Sequence, residues 1–147
     1  MSSIKLSPLR WNYYRECRTL FQDIFDISEH AEFPCGWRSR CQRRSFVALY
    51  YGTVIGFILV DNTNSIQFIC VSREFQNAEV GTMLLTKVIG SCRGPIHLVT
   101  ADIQWLIKWY AKFGFRTTEM FYDAEGKFEG AEMILEAKHK KLKTRNA

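Results

Sequence analysis

Apolar residues in the first part of the chain fall at Trp11, Tyr14, Cys17, Leu20, Phe21, Ile24 and Phe25, a three-and-four spacing that predicts a helix. Ahead of it, Ile4-Lys-Leu6 reads as a short strand, and Ser7-Pro8 as an N-cap and first helical residue. Residues 26–44 lack a clear period and read as a loop with room for a second helix. Strand-like runs then follow. Phe46–Tyr51 turns at Gly52-Thr53 into Val54–Val60, and the polar turn Asp61–Asn64 leads into Ile66–Val71. These three runs predict consecutive antiparallel strands.

The period then changes. Val80, Met83, Leu84 and Val88 predict a helix over Val80–Ile89, which Gly90 stops. Pro95–Thr100 reads as a buried strand, Ile103–Phe113 as a helix, and Gly114-Phe115 as its sharp end. Thr117–Tyr122 and Ala131–Ala137 flank Asp123-Ala-Glu-Gly126 as a last hairpin. Three strands, then β–α–β–α, then a hairpin predict an α+β fold with mixed strand directions.

The chain has 147 residues, 47% of them apolar, which suits one domain over 1–137 and excludes a disordered or collagen-like polymer. Its longest apolar run, Thr53-Val-Ile-Gly-Phe-Ile-Leu-Val60, is about ten residues too short to span a bilayer, so no membrane association is expected. Met1-Ser-Ser-Ile opens no secretory leader pattern.

A net charge of +5 points first towards nucleic acid. Position changes that reading. Residues 1–137 hold fifteen Lys/Arg and fifteen Asp/Glu, so the excess belongs to Lys138, Lys140, Lys141, Lys143 and Arg145, a basic tail over 138–147. Cysteines 17, 35, 41, 70 and 92 are odd in number and form no CxxC pair, which reads as reduced thiols in a cytoplasmic protein. Cys35-x5-Cys41 beside His30 has the wrong spacing for zinc ligand pairs, so no metal is expected.

The chemistry concentrates at one junction. Phe68-Ile-Cys-Val71 runs through Ser-Arg-Glu-Phe-Gln76 into Asn-Ala-Glu-Val-Gly81-Thr82, a strand that ends just before a helix. A helix start offers unpaired N–H groups and a positive dipole end, which suit phosphate oxygens, and Gly81 lets a ligand approach closely. About thirty residues on, Trp109-Tyr110-Ala-Lys-Phe-Gly114-Phe115 closes an amphipathic helix, with Tyr110 one turn before its end.

At these residues the chain resembles the GNAT superfamily of acetyl-coenzyme A-dependent N-acetyltransferases. Gln76-Asn-Ala-Glu79-Val-Gly81-Thr82 occupies the place of that family's Q/R-x-x-G-x-G/A motif, and Tyr110-Ala-Lys112-Phe-Gly114-Phe115 matches its Y-x-K-x-G-F pattern. The resemblance covers roughly residues 4–137 and implies a twisted, mostly antiparallel sheet of about seven strands with helices on both faces. It implies that backbone groups of Ile69, Cys70 and Val71 pair with the pantetheine arm of acetyl-coenzyme A and polarise the thioester carbonyl. Backbone N–H groups of Gln76, Asn77, Ala78, Glu79, Val80, Gly81 and Thr82 would hold the pyrophosphate. Tyr110 would protonate the departing thiolate after direct attack by a neutral amine.

The chain departs from the family pattern in three places. Glu79 replaces the first motif glycine, and like charges about 5 Å apart repel by roughly 3 kcal/mol at an effective dielectric near 20. The helix dipole returns only about 0.3–1 kcal/mol, so the carboxylate must turn to solvent. Ile103 and Leu106 stand where the family often has Asn and Ala. The Ser65–Val71 strand carries no carboxylate, so the general base is sought among His30, Glu29, Glu32 and Glu132, or in a water chain; His97, in an apolar strand, reads as a core histidine.

In the fold that the resemblance implies, the acceptor lies between the first helix–loop region and the last hairpin. Asp23, Asp26, Glu29 and Glu32 fall in one; Glu119, Asp123, Glu125, Glu129 and Glu132 fall in the other. Such negative charge favours a cationic amine, and Asp26, Glu29, Glu32 and Glu132 are the candidate acceptor-binding residues. The expected substrate is a diamine, polyamine or other small amine, with a protein lysine or N-terminus as the alternative. A reading of a different class is a catalytically lapsed body that binds nucleic acid or a protein partner through the tail. The resemblance also admits a homodimer paired through sheet edges.

Overall fold

A computed structural model describes residues 3–25, 44–76, 78–101 and 104–137. The strands are β1 (Ile4–Pro8), β2 (Phe46–Tyr50), β3 (Thr53–Val60), β4 (Ser65–Val71), β5 (Ile96–Ala101), β6 (Arg116–Tyr122) and β7 (Phe128–Leu135). The helices are α1 (Tyr14–Phe25), α2 (Val80–Ser91) and α3 (Gln104–Lys112), with 3-10 turns at Trp11–Tyr13 and Arg73–Phe75. Hydrogen bonding orders the strands β1-β2-β3-β4-β5-β7-β6 in a seven-stranded sheet. β1/β2, β2/β3, β5/β7 and β6/β7 are antiparallel, while β4 and β5 are parallel through Ser65↔His97 and Ile66↔Leu98. The architecture is α+β with a mixed, mostly antiparallel sheet. No helix among the described residues is long and apolar enough to cross a membrane.

The chain forms two compact units: residues up to Thr63 with Gln67–Ser91, and Asn64–Ile66 with the chain from Cys92 onward. In the first unit, strand alternation sends side chains to two covered faces. Val47, opposite Phe57, joins Val54, Leu59 and Cys70 against Cys17 and Phe21 of α1. Ala48, opposite Gly56, lies on the other face, where the Cβ position of Gly56 meets Val80 and Leu84 of α2. So α1 and α2 cover opposite faces of this unit. β3 is buried from Val54 to Val60 because both its faces are covered.

In the second unit Ile96, Leu98 and Thr100 of β5 pair with Leu135, Met133 and Ala131 of β7, and all six are buried. Tyr110 and Phe115 are buried as well, their rings 5.6 Å apart. The alternate face carries His97 opposite Ile134 and Val99 opposite Glu132. His97 is half-buried there rather than a core histidine, because it alternates with the buried pair Ile96 and Leu98.

Three boundaries differ from the pattern. Ser7-Pro8 does not open the helix; it ends β1, and the helical path begins at Trp11 after an extended Arg10. The Leu9 N–H to Ser45 carbonyl bond (2.9 Å) sets the ladder's phase, so odd residues of β1 bond towards β2. Pro8 therefore places its missing donor on the strand's outer edge, where it costs no ladder bond. The turn after β2 is Tyr51-Gly52, not Gly52-Thr53, since Thr53 already pairs with Tyr50. Gly90 does not stop α2. The helix runs to Ser91, and the left-handed residue after it is Gly94 at φ +80°.

Cys17, Cys70 and Cys92 are buried, none of them in a disulfide. Burial pushes the Cys70 thiol up to about 12 and raises Cys17 further, beside Glu16, so both are protonated and inert at neutral pH. Cys35 and Cys41 lie outside the described residues, as does the tail 138–147.

Candidate functional site

The β4–α2 junction belongs wholly to the first unit. Ser72 N–H donates to the Ile55 carbonyl of β3 (2.8 Å), and the Cys70 carbonyl lies over Gly56 of the same strand. Backbone groups alternate along a strand, so those of Ile69 and Val71 turn to the opposite edge. Of the three residues expected along the pantetheine arm, Cys70 therefore spends its carbonyl on β3. The Val71 carbonyl accepts the Gln76 side-chain amide (3.2 Å), which ties the strand end to the loop.

The 3-10 turn folds the chain back after Ser72. Phe75 N–H donates to Ser72 O (2.9 Å), and Ala78 N–H to Phe75 O (3.1 Å). The Ala78 donor is thus engaged, which corrects its expected role as a free phosphate donor. The bond from Met83 N–H to Glu79 O (3.0 Å) is the first of α2, so Val80, Gly81 and Thr82 N–H precede any intrahelical partner. Three convergent donors at a helix start, with a half-buried Gly81 among them, fit a pyrophosphate. Asn77 lies outside the described residues.

Glu79 carries an additional signal. Its φ is +62°, the left-handed region where glycine is at ease and a longer side chain costs about 1–2 kcal/mol. A glycine at this motif position answers a backbone need, which charge alone did not reveal. The exposed Glu79 lines a groove of about 530 Å³ along α2 with Thr82, Met83, Thr86 and Lys87. Glu79→Gly is expected to raise the melting temperature and tighten coenzyme A binding severalfold, whereas Glu79→Gln, which keeps the strain, improves binding alone. Calorimetry and thermal unfolding of both variants separate charge from backbone.

Gly56 escaped the sequence reading. A glycine inside an apolar strand signals close approach, but nothing in the sequence says to what. Here the partner is the junction itself: a Cβ at Gly56 would sit 3.0 Å from the Cys70 carbonyl oxygen and 3.1 Å from Val80.

In the second unit, Tyr110 is the single buried residue of α3 among those described. Its ring meets Trp109 at 5.0 Å, and its carbonyl accepts Phe113 N–H (3.0 Å). Gly114, at φ +101°, then lets the chain turn into β6. Glu132 of β7 is half-buried, opposite Glu119 in register, and accepts the Thr118 hydroxyl (2.9 Å). Two other acids have structural work. Asp123 accepts Glu125 N–H and Lys127 N–H (2.9 and 2.8 Å) inside its own turn, and Asp23 faces Arg73 at 3.8 Å across an exposed pair. Asp26, Glu29, His30, Glu32 and Ile103 lie outside the described residues, and no metal-binding cluster occurs among the described ones.

Comparisons with known proteins address the whole arrangement. Residues 8–115 match the family described as Acetyltransferase (GNAT) family. Cysteine-rich protein 2-binding protein of Mus musculus is 29% identical over 131 residues, and that of Homo sapiens 30%. Each alignment covers 84% of this chain, which spans 15% of the length of these curated relatives. Arabidopsis thaliana Naa50, solved with the bisubstrate analogue CoA-Ac-MVNAL, superposes with a TM-score of 0.70 at 16% identity, covering 90% of this chain and 98% of that one. The ribosomal-protein-S18-alanine N-acetyltransferase of Escherichia coli gives 0.67 at 15% identity, covering 91% and 94%. These structures share the fold. With the match over most of the chain, the protein belongs to the acetyltransferase (GNAT) family, whose acetyl donor is acetyl-coenzyme A.

Proposed function

We propose that this domain transfers the acetyl group of acetyl-coenzyme A to a cationic primary amine by direct attack on the thioester. The observation that supports the donor side most is the helix start, where Val80, Gly81 and Thr82 N–H precede any intrahelical bond and suit the pyrophosphate. Outward backbone groups of Ile69 and the Val71 N–H flank the arm, the Val71 carbonyl being held by Gln76. The donor supplies an activated acyl thioester. The attacking amine reacts in its neutral form. Tyr110 gives its phenolic proton to the thiolate that leaves, so charge does not accumulate on sulfur, and the proton that the nitrogen sheds on becoming an amide returns to Tyr110 through water.

On the acceptor side, Glu132 and Glu119 stand opposite each other on the last hairpin, and Thr118 holds one oxygen of Glu132. Paired carboxylates attract a cation and hold its second ammonium group, which favours a diamine or polyamine. A second reading, a lysine side chain or protein N-terminus, gains support from similar structures solved with a peptide-like analogue or a Gag peptide. The test is thiol release from acetyl-coenzyme A with diamines, polyamines, amino sugars and lysine or N-terminal peptides. Diamine turnover is expected to exceed that of neutral amines and to fall with salt as the carboxylates are screened. Faster transfer to peptides supports the second reading, and a blank panel removes both.

A further inference from the structure

The β2–β3 turn carries a residue that the turn itself does not want. Tyr51 and Gly52 are its two central residues, with φ of +50° and +83°. Asn-Gly or Gly-Gly meets that geometry, whereas a bulky aromatic at positive φ is an outlier. Burial does not explain the choice, because Tyr51 is 77% exposed. Its ring is nevertheless held in place. The Ser3 hydroxyl donates to the Tyr51 hydroxyl (2.8 Å), and the ring meets Tyr50 edge-on at 4.6 Å. Tyr50, itself 39% exposed, leans on Phe75 at 5.1 Å. Phe75 is the residue before Gln76, and its carbonyl closes the loop through Ala78 N–H. A chain of aromatic contacts thus runs from the turn to the first residues of the phosphate loop, all inside one compact unit.

We propose that Tyr50, Tyr51 and Phe75 form a ledge that receives the adenine ring of the donor while the start of α2 takes its pyrophosphate. The proposal rests on the reading of Val80–Thr82 as the phosphate cradle. In coenzyme A one ribose separates base from pyrophosphate, so a stacking surface must lie close beside the phosphate donors. Phe75 ties this ledge to their loop, its carbonyl accepting Ala78 N–H two residues before Val80. Exposed aromatic faces bind a planar base without needing matched hydrogen bonds, which suits a purely anchoring role. The strain at Tyr51 is then retained for binding and not for folding.

The test compares coenzyme A with 4′-phosphopantetheine, which keeps the arm and one phosphate but lacks the adenosine, by titration calorimetry on the full chain. Tyr51→Asn relieves the positive φ, so it is expected to fold at least as stably as the wild type. Its dissociation constant for coenzyme A is expected to rise about tenfold, the loss expected for one stacked base. Affinity for 4′-phosphopantetheine is expected to stay unchanged, and Tyr50→Ala to repeat the pattern. Equal weakening of both ligands would show that the aromatics only support the loop and would overturn the proposal. Unchanged coenzyme A affinity in both variants would overturn it too, as docking of a protein partner on the ledge predicts; the phosphate reading would survive either result. A wild-type chain that binds neither ligand would remove the phosphate reading and the ledge together.

Discussion

Tyr110→Phe is expected to lower turnover by about 10²–10⁴-fold, the usual contribution of a positioned general acid, with little change in affinity for acetyl-coenzyme A. The substitution keeps the ring that packs 5.0 Å from Trp109 and 5.6 Å from Phe115, so the fold and helix end persist. What it removes is one proton. In the proposed mechanism the departing thiolate must then find a proton from water, and the penalty shrinks as the leaving group becomes more acidic. A thioester donor with a low-pKa thiol should therefore recover part of the lost rate in the variant and gain little in the wild type. Steady-state kinetics on both donors, with binding read separately by calorimetry, checks this. Turnover equal to wild type across the pH range would remove Tyr110 from the chemistry.

Gly56→Ala is expected to destabilise the protein by about 1–3 kcal/mol, although it adds one methyl group. The new Cβ would stand 3.0 Å from the Cys70 carbonyl oxygen, 3.1 Å from Val80 Cγ1 and 3.3 Å from Leu84 Cδ1. The nearest atom is backbone of a central strand, so it cannot swing aside as a side-chain tip would. The strain falls on the first turn of α2 and on the end of β4, the two halves of the proposed phosphate junction. Coenzyme A binding should weaken along with stability. Gly90→Ala, in the same helix with nothing within 4 Å of its Cβ position, is the control, and it should stabilise by about 1 kcal/mol. Urea midpoints at constant slope measure both changes. A neutral Gly56→Ala would mean that β3 and α2 are not in close contact at the junction.

Much of the strand-to-helix junction that carries the proposed phosphate site was readable from periodicity. The switch from alternating apolar residues in Ile66–Val71 to helical spacing from Val80 marked the junction, because the two geometries impose different repeats on what must be buried. Gly114 after Tyr110 likewise announced a helix end, and it adopts φ +101° there. Hydrogen bonds were harder to foresee. Ala78 looked like any loop donor until the 3-10 turn brought the Phe75 carbonyl to it. The acidic residues show the same limit. Asp123 and Asp23 were counted as charge for an acceptor, yet one closes its own hairpin turn and the other faces Arg73.

By itself, then, the order of apolar and polar residues determined the succession of strands and helices, while residue identities carried the family motifs and confined the basic excess to residues 138–147. These are local properties, set by a residue and its neighbours within a turn or two. The tertiary structure decided what depends on residues distant in the chain. It brought Cys70 and Val80 against Gly56, put Glu79 in a glycine's conformation, and lined Tyr50 and Tyr51 up with Phe75. Close approach and strain arise only when packed elements compete for the same space, and no single segment contains that competition.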